Sequence, residues 1–216
     1  MTQTLRRAFA ANIIPAIALW SLAVLLLALY YFFPPATAAL NQLAQLKTRL
    51  GWGFSMPAQA VAAGLLPFLF QKFQRGDHRR LTWAQLPFLL LVRAIMGAMT
   101  DEFYTFQAHL FGDGTNATTI LIKTIFDMTV YTPFIVLPLV VWTFGLMDNG
   151  YALDTTRAAL GPNWKTKRVL PLYLAALIVW VPTLAVLYAL PLELQFPFQA
   201  IVQCFWGLVL VILTDK

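Results

Sequence analysis

Residues 118–147 read TTILIKTIFDMTVYTPFIVLPLVVWTFGLM, one apolar run that nevertheless contains Lys123, Asp127, Pro133 and Pro138. A helix needs about 20 apolar residues to cross the roughly 30 Å hydrocarbon layer of a bilayer, so this run is long enough to span with a tilt or a bend. An ionisable group near mid-bilayer costs at least about 2.5–3.5 kcal/mol on insertion scales and normally faces a partner, a protein interior or a wet cavity. Lys123 and Asp127 are four residues apart, so they share a helix face and are spaced to pair. Proline lacks an amide donor and crowds the carbonyl four residues earlier, so Pro133 should loosen Thr129 and Pro138 should loosen Phe134. Two readings follow. Either the kinked segment lines a hydrated path with Asp127 and Thr129, or Thr132 or a neighbouring helix satisfies the kink.

The rest of the chain sets this run in context. Its 216 residues are 60% hydrophobic and only 11% charged, with a mean hydropathy of +0.70, too apolar for one soluble core. Further apolar stretches lie near 12–33, 55–72, 82–100, 169–190 and 196–213. Unpaired backbone amides are costly in lipid, and the period-two alternation of a barrel is absent from the sequence, so the spans should be helices. The expected fold class is all-α: a polytopic transmembrane helical bundle of about six spans, forming a single domain over 1–216. Arg6 and Arg7 before an apolar run, with Ala36-Thr37-Ala38 after it, resemble a secretory signal. The run is longer than the about 7–15 residues of a signal core, so a retained first helix is expected.

Charge gives the orientation. With six spans, Arg6, Arg7, Lys72, Arg75, Arg79, Arg80, Arg157, Lys165, Lys167, Arg168 and Lys216 fall on one side. Lys47 and Arg49 fall on the other, with Asp101, Glu102, Asp113 and Glu193. The positive-inside rule then puts both termini on the cytoplasmic or matrix side. The net charge of +6 needs no nucleic acid: Arg75, Arg79, Arg80, Lys165, Lys167 and Arg168 sit in short loops where anionic lipid is the expected partner. Asn116-Ala117-Thr118 is a glycosylation sequon of little specificity.

Tyr30-Tyr31-Phe32-Phe33 followed by Pro34-Pro35 marks an interfacial belt and a stop. In 36–52, Leu40, Leu43, Leu46 and Leu50 recur at spacings of three and four, the pattern of an amphipathic helix on the membrane surface or against a partner. Gly97 and Ala98 fit close helix packing. Arg93 either reaches Asp127 across a helix interface or snorkels to the nearer surface. There is no phosphate-binding glycine loop, no HExxH and no paired-cysteine metal spacing, and His78 and His109 are the only histidines. Cys204, the lone cysteine, reads as helix packing. No cofactor, no metal and no enzymatic activity are expected.

Residues 97–213 also carry a familiar order. Gly97 precedes Phe103-Tyr104, Lys123 is followed by Asp127-Met128 and then Pro133, and Leu190-Pro191 is followed by Gln195 and by Trp206-Gly207-Leu208-Val209-Leu210. This resembles the Mpv-seventeen and peroxisomal membrane protein family, small multi-helix proteins of mitochondrial inner, peroxisomal and related membranes. The family pattern has glutamine at Met128, arginine at Gln195 and asparagine at Gly207, and its Trp-Pro-x-x-Gln-x-x-Asn-Phe stretch is apolar here around Val179 to Leu187. The resemblance implies a family-like core over about 55–213, an additional N-terminal helix at 12–33 and Lys123 and Asp127 as the polar centre of the bundle. It further implies Gly97, Tyr104, Pro191 and Trp206 as motif positions and a mitochondrial inner membrane location. Family members are described as channel-like, metabolite-permeating or membrane-homeostasis proteins. Two functions are thus expected: a channel-like route for small solutes, alone or as a homo-oligomer, or a non-conducting accessory subunit of a larger membrane complex.

Overall fold

The computed structural model describes residues 2–73 and 81–213, with side chains described for 13, 16–73 and 81–207. The basic positions Arg75, Arg79 and Arg80 lie outside the described residues. Ten α-helices follow one another, and no strand occurs among the described residues. They are α1 (Thr2–Phe32), α2 (Pro34–Leu50), α3 (Trp52–Ala60), α4 (Leu66–Phe73), α5 (Leu86–Phe111), α6 (Ala117–Phe126), α7 (Leu137–Asp148), α8 (Leu153–Leu160), α9 (Leu170–Tyr188) and α10 (Leu192–Leu213). Short π-helical turns join α3 to α4 (Val61–Leu65) and lead into α9 (Lys165–Val169), and a longer π segment (Asp127–Val136) joins α6 to α7.

Among the described residues, four continuous helical runs are long and apolar enough to cross a membrane: Trp52–Phe73, Trp83–Phe111, Ala117–Asp148 and Lys165–Tyr188. They match the second to fifth expected spans. The third extends well past residue 100, so Thr100, Asp101 and Glu102 are helix interior rather than its end. The first expected span is different. Ala16–Phe32 and Pro34–Leu50 are two helices bent by 102°, and counting them as one broken span raises the number to five. The expected sixth span falls on α10, whose side chains beyond residue 207 are outside the described residues.

The bend has a local cause. Pro34 and Pro35 occupy the first turn of α2, where a missing amide is harmless, but the carbonyl of Tyr30 thereby loses the amide that would have continued α1. The Thr37 hydroxyl donates to that carbonyl at 2.5 Å and to the Phe33 carbonyl at 3.2 Å. Gly51, at φ +52, closes α2 and turns the chain into α3. Asn116 caps α6 by accepting the Thr119 amide at 3.0 Å, and the Thr82–Gln85 pair forms a capping box before α5.

The principal core gathers Ala16, Leu19 and Ala23 of α1, Val179, Leu184, Leu187 and Tyr188 of α9, and Leu194, Phe196, Phe198 and Val202 of α10. Helix α1 is therefore not an appendage: it packs along α9, with the Trp20 indole donating to the Val179 carbonyl at 3.0 Å and the Tyr31 hydroxyl to the Ala189 carbonyl at 2.9 Å. Lipid tails are as apolar as leucine, so such contacts are favoured by van der Waals fit and interhelical hydrogen bonds rather than by expulsion of water. Outward, Ile17, Val24, Leu25 and Phe32 of α1 and Leu121, Ile125 and Phe134 of the Ala117–Asp148 run are exposed, as expected of surfaces facing hydrocarbon.

Candidate functional site

Helix α5 turns an unusually polar stripe inward. Gly97, Thr100, Asp101, Tyr104 and Gln107 are all buried, and their spacing of three and four puts them on one face. Around this stripe the structure builds two polar clusters.

The first centres on Asp127. Its carboxylate accepts from the Tyr188 hydroxyl at 2.8 Å and from the Thr132 hydroxyl at 2.9 Å, and Gln107 Nε2 donates to the Tyr188 oxygen at 3.0 Å. Three helical runs are thus tied through one carboxylate, and such chains of donors polarise one another where the dielectric is low. Lys123, 1% exposed, holds its Nζ 5.8 Å from the centre of the Tyr188 ring, and Tyr104 meets that ring edge-on at 5.7 Å. Beside it Thr100 and Tyr131 share a hydrogen bond of 3.1 Å, and Tyr131 stacks on Phe103 with centroids 3.8 Å apart.

The expected ion pairs are not formed. Among the described residues neither Lys123 nor Arg93 pairs with Asp127; the ion pair present joins Lys47 to Asp101. A lysine four residues before an acid is the poorer order for a helical pair, because side chains lean toward the helix N-terminus and Lys123 extends away from Asp127. Arg93, half-buried, instead packs its stem against the π turn, where a Cβ on Gly64 would lie 3.4 Å from its Cγ.

The prolines act through helix register. Pro133 lies inside the π segment and Pro138 just after it, where the Leu137 amide bonds the Thr132 carbonyl five residues back. The expected kink is therefore a change of hydrogen-bond register within one continuous 32-residue run. The wider register also brings Thr132, five positions on, onto the face of Asp127. Thr129 points outward and bonds its own helix at the Ile125 carbonyl, 2.7 Å away, so it does not line the interior. Thr132→Val should accordingly lower stability by about 1.5–3 kcal/mol, the scale of a hydrogen bond to a charged group, whereas Thr129→Val should cost less than about 0.5 kcal/mol. Thermal melts of the two variants in detergent check the contrast.

The second cluster joins α2, α3 and α5. Lys47 Nζ lies 2.7 Å from one oxygen of Asp101, the Ser55 hydroxyl donates to the other at 2.5 Å, and the Trp52 indole donates to Glu102 at 2.7 Å. Four charges expected on the same face, Lys47, Arg49, Asp101 and Glu102, thus lie on or beside one cluster.

No family model matches the chain, and no curated protein or solved structure is significantly similar to it. The motif positions are therefore judged by their contacts. Gly97 sits against the α3 backbone: a Cβ there would fall 2.4 Å from the Ser55 carbonyl oxygen. Tyr104 packs on Tyr188, Pro191 opens the turn into α10 by accepting the Leu194 amide at 2.9 Å, and Trp206 packs against the principal core. At Gly207 a Cβ would lie 2.6 Å from Pro67 Cγ, so a side chain there would force α10 from α4.

Tyr188 and Gln107 were not singled out by the sequence reading; Thr132 was named there only as a partner for the proline kink, and Lys47 and Asp101 only for the charge asymmetry, not as a cluster with Ser55. The α5 stripe was the available signal, since 97, 100, 101, 104 and 107 recur at helical spacing. Among the described residues, glutamines 59, 107, 195 and 199 keep a buried side-chain oxygen without a hydrogen-bond partner. Two hollows lie between α2 and α10, and Asp127 lines neither.

Proposed function

We propose that this chain is an integral membrane protein providing a gated route for small polar solutes, with the Asp127–Tyr188–Gln107 chain as its closed gate. The observation that carries the reading is the burial of Lys123 and Asp127 within one membrane-length helix without an ion pair between them. Intramembrane charges are expensive and are retained for ion or solute passage, relays or counter-ions. The inward stripe on α5 supplies further polar groups, and the buried oxygen of Gln107 is an additional acceptor beside Tyr188. A hydroxyl bridging a carboxylate and an amide is a contact that a small helix shift opens, because packed interfaces are bistable rather than continuously deformable.

The finer assignments belong to the same proposal. The chain crosses the membrane about six times, with α1 and α10 as the outer spans, α2 lying along the surface and both termini on the matrix or cytoplasmic side. Its membrane is the mitochondrial inner membrane, by resemblance to the Mpv-seventeen family. Anionic lipid meets the loop basic residues, including Lys165, Lys167 and Arg168 beside Trp164. Neither catalysis nor nucleic-acid binding is part of the role.

Reconstitution into liposomes tests the reading. The protein should release polar solutes of low mass, and Asp127→Asn should change the rate at least several-fold while the melting temperature stays within a few degrees. Rates equal to those of empty liposomes for both proteins would refute it.

An accessory-subunit role is the second reading, favoured by the apolar residues that stand around Val179 to Leu187 where the resembled family is polar, with the exposed α1 stripe of Ile17, Val24, Leu25 and Phe32 as the surface a partner helix would cover in place of lipid. It predicts stoichiometric recovery inside a larger complex on mild-detergent purification from the native membrane. Recovery as a monomer or small homo-oligomer would contradict it.

A further inference from the structure

We propose that the seam between α2 and the start of α10 is a binding site for one zwitterionic phospholipid whose headgroup carries a primary ammonium. Two adjoining hollows form this seam. One is open and polar, about 420 Å³, walled by Asn41, Gln45, Thr48 and Arg49 of α2 and by Glu193 of α10. The other is a narrow apolar crease lined by Leu40 and Leu43 of α2 and by Leu194, Pro197 and Phe198 of α10, among others. Consecutive residues divide between them, Leu40 with Asn41 and Glu193 with Leu194, so the crease runs directly off the polar hollow.

The charge arrangement selects the ligand. Arg49 and Glu193 face the same hollow without forming an ion pair with each other; the ion pair nearby takes Lys47 to Asp101 instead. A guanidinium presents a fork of donors matched to a phosphate, and a carboxylate across the hollow suits an ammonium. The amide and hydroxyl groups of Asn41, Gln45 and Thr48 offer partners for the remaining phosphate and ester oxygens. A purely anionic headgroup would leave Glu193 opposed to it, and a quaternary ammonium has no N–H to donate. The crease, about 20 Å³, supplies an apolar contact for the first methylenes of an acyl chain, the rest of which lies in the surrounding hydrocarbon.

Depth agrees with this assignment. Tyr31 at the end of α1 and Trp52 at the start of α3 flank α2, and both are about half exposed, at 54% and 55%. Aromatic side chains of this kind mark headgroup level. The site differs from the basic loops at Lys165, Lys167 and Arg168, which have no carboxylate counterpart in the proposal made for them.

The test is native mass spectrometry of delipidated protein in mild detergent, titrated separately with phosphatidylethanolamine, phosphatidylcholine and phosphatidylglycerol. Retention should be highest for phosphatidylethanolamine. Arg49→Ala should weaken its binding about tenfold, the scale of one lost charge-assisted contact. Glu193→Gln should weaken phosphatidylethanolamine several-fold while leaving phosphatidylglycerol unchanged or stronger. Both positions are exposed, so circular dichroism melts should be unaltered and serve as the folding control. Equal retention of the three lipids, a preference for phosphatidylglycerol, or phosphatidylethanolamine binding indifferent to both substitutions would each overturn the proposal.

Discussion

Gly97→Leu should leave no folded protein recoverable in detergent, and Gly97→Ala alone should cost about 3 kcal/mol or more, at or above the upper end of ordinary overpacking. A Cβ at this position meets the Ser55 carbonyl oxygen at 2.4 Å, Gln59 Cβ at 2.6 Å and the Ser55 carbonyl carbon at 3.2 Å. Two of these are backbone atoms and the third is rigidly attached to backbone, so nothing can rotate aside and α3 must move away from α5. That movement would also pull Ser55 from Asp101. Gly53, on the same α3 helix, is the internal control: a Cβ there meets only Leu50 Cβ, at 3.8 Å. Gly53→Ala should be neutral or stabilising by up to about 1 kcal/mol through the unfolded chain's lost freedom. Size-exclusion recovery and thermal melts of the three variants decide the matter. A Gly97→Ala protein that melts like the parent would show that the helices are not in this contact.

Lys47→Leu should cost about 3–5 kcal/mol, because it strands a buried carboxylate. Lys47 and Asp101 are only 13% and 7% exposed, so water cannot replace the lost cation, and the Ser55 hydroxyl satisfies only one of the two carboxylate oxygens. Removing both charges in Lys47→Leu/Asp101→Leu should restore most of the loss, since an apolar pair of similar volume is often as stable as a buried ion pair. A double-mutant cycle measures the coupling. Additive losses in the cycle would mean that the two groups do not interact in the folded protein.

How far the sequence reveals this architecture depends on which quantity is asked of it. Continuous apolar runs specify helices in a medium where every backbone amide must be bonded, and 55–72, 118–147 and 169–190 therefore match observed runs to within a few residues. The end of α5 was harder to read because Thr100, Asp101 and Glu102 look like an interface when neighbours are unknown. Thr100 and Asp101 belong to the interior, covered by Tyr131, Ser55 and Lys47, whereas Glu102 is exposed and accepts from the Trp52 indole. The corner at Pro34-Pro35 was visible as a stop, but not that Thr37 would rescue the Tyr30 carbonyl and hold α2 at 102° to α1.

The site was half legible. Lys123 and Asp127 stood out because charges in apolar runs are rare, and the structure does bury both. Their partners did not stand out. Spacing of four favours pairing most in an α register with the acid first, whereas here the order is reversed and the helix changes register at Asp127. The hydroxyl that completes the carboxylate comes from Tyr188, 61 positions away, at the end of a helix whose adjacency no periodicity encodes. Thr129 was expected to line a path with Asp127, but two residues apart on a helix point to different faces, and the hydroxyl that reaches the carboxylate is that of Thr132.

If the Asp127–Tyr188–Gln107 chain closes a route through the bundle, the most direct measurement is solute release from liposomes carrying Tyr188→Phe. This variant keeps the ring that Lys123 and Tyr104 pack against and removes only the bridging oxygen. The account predicts faster release than the parent by several-fold, with the protein still folded by circular dichroism. Release no faster than from protein-free liposomes, for the parent and for a folded Tyr188→Phe alike, would contradict it.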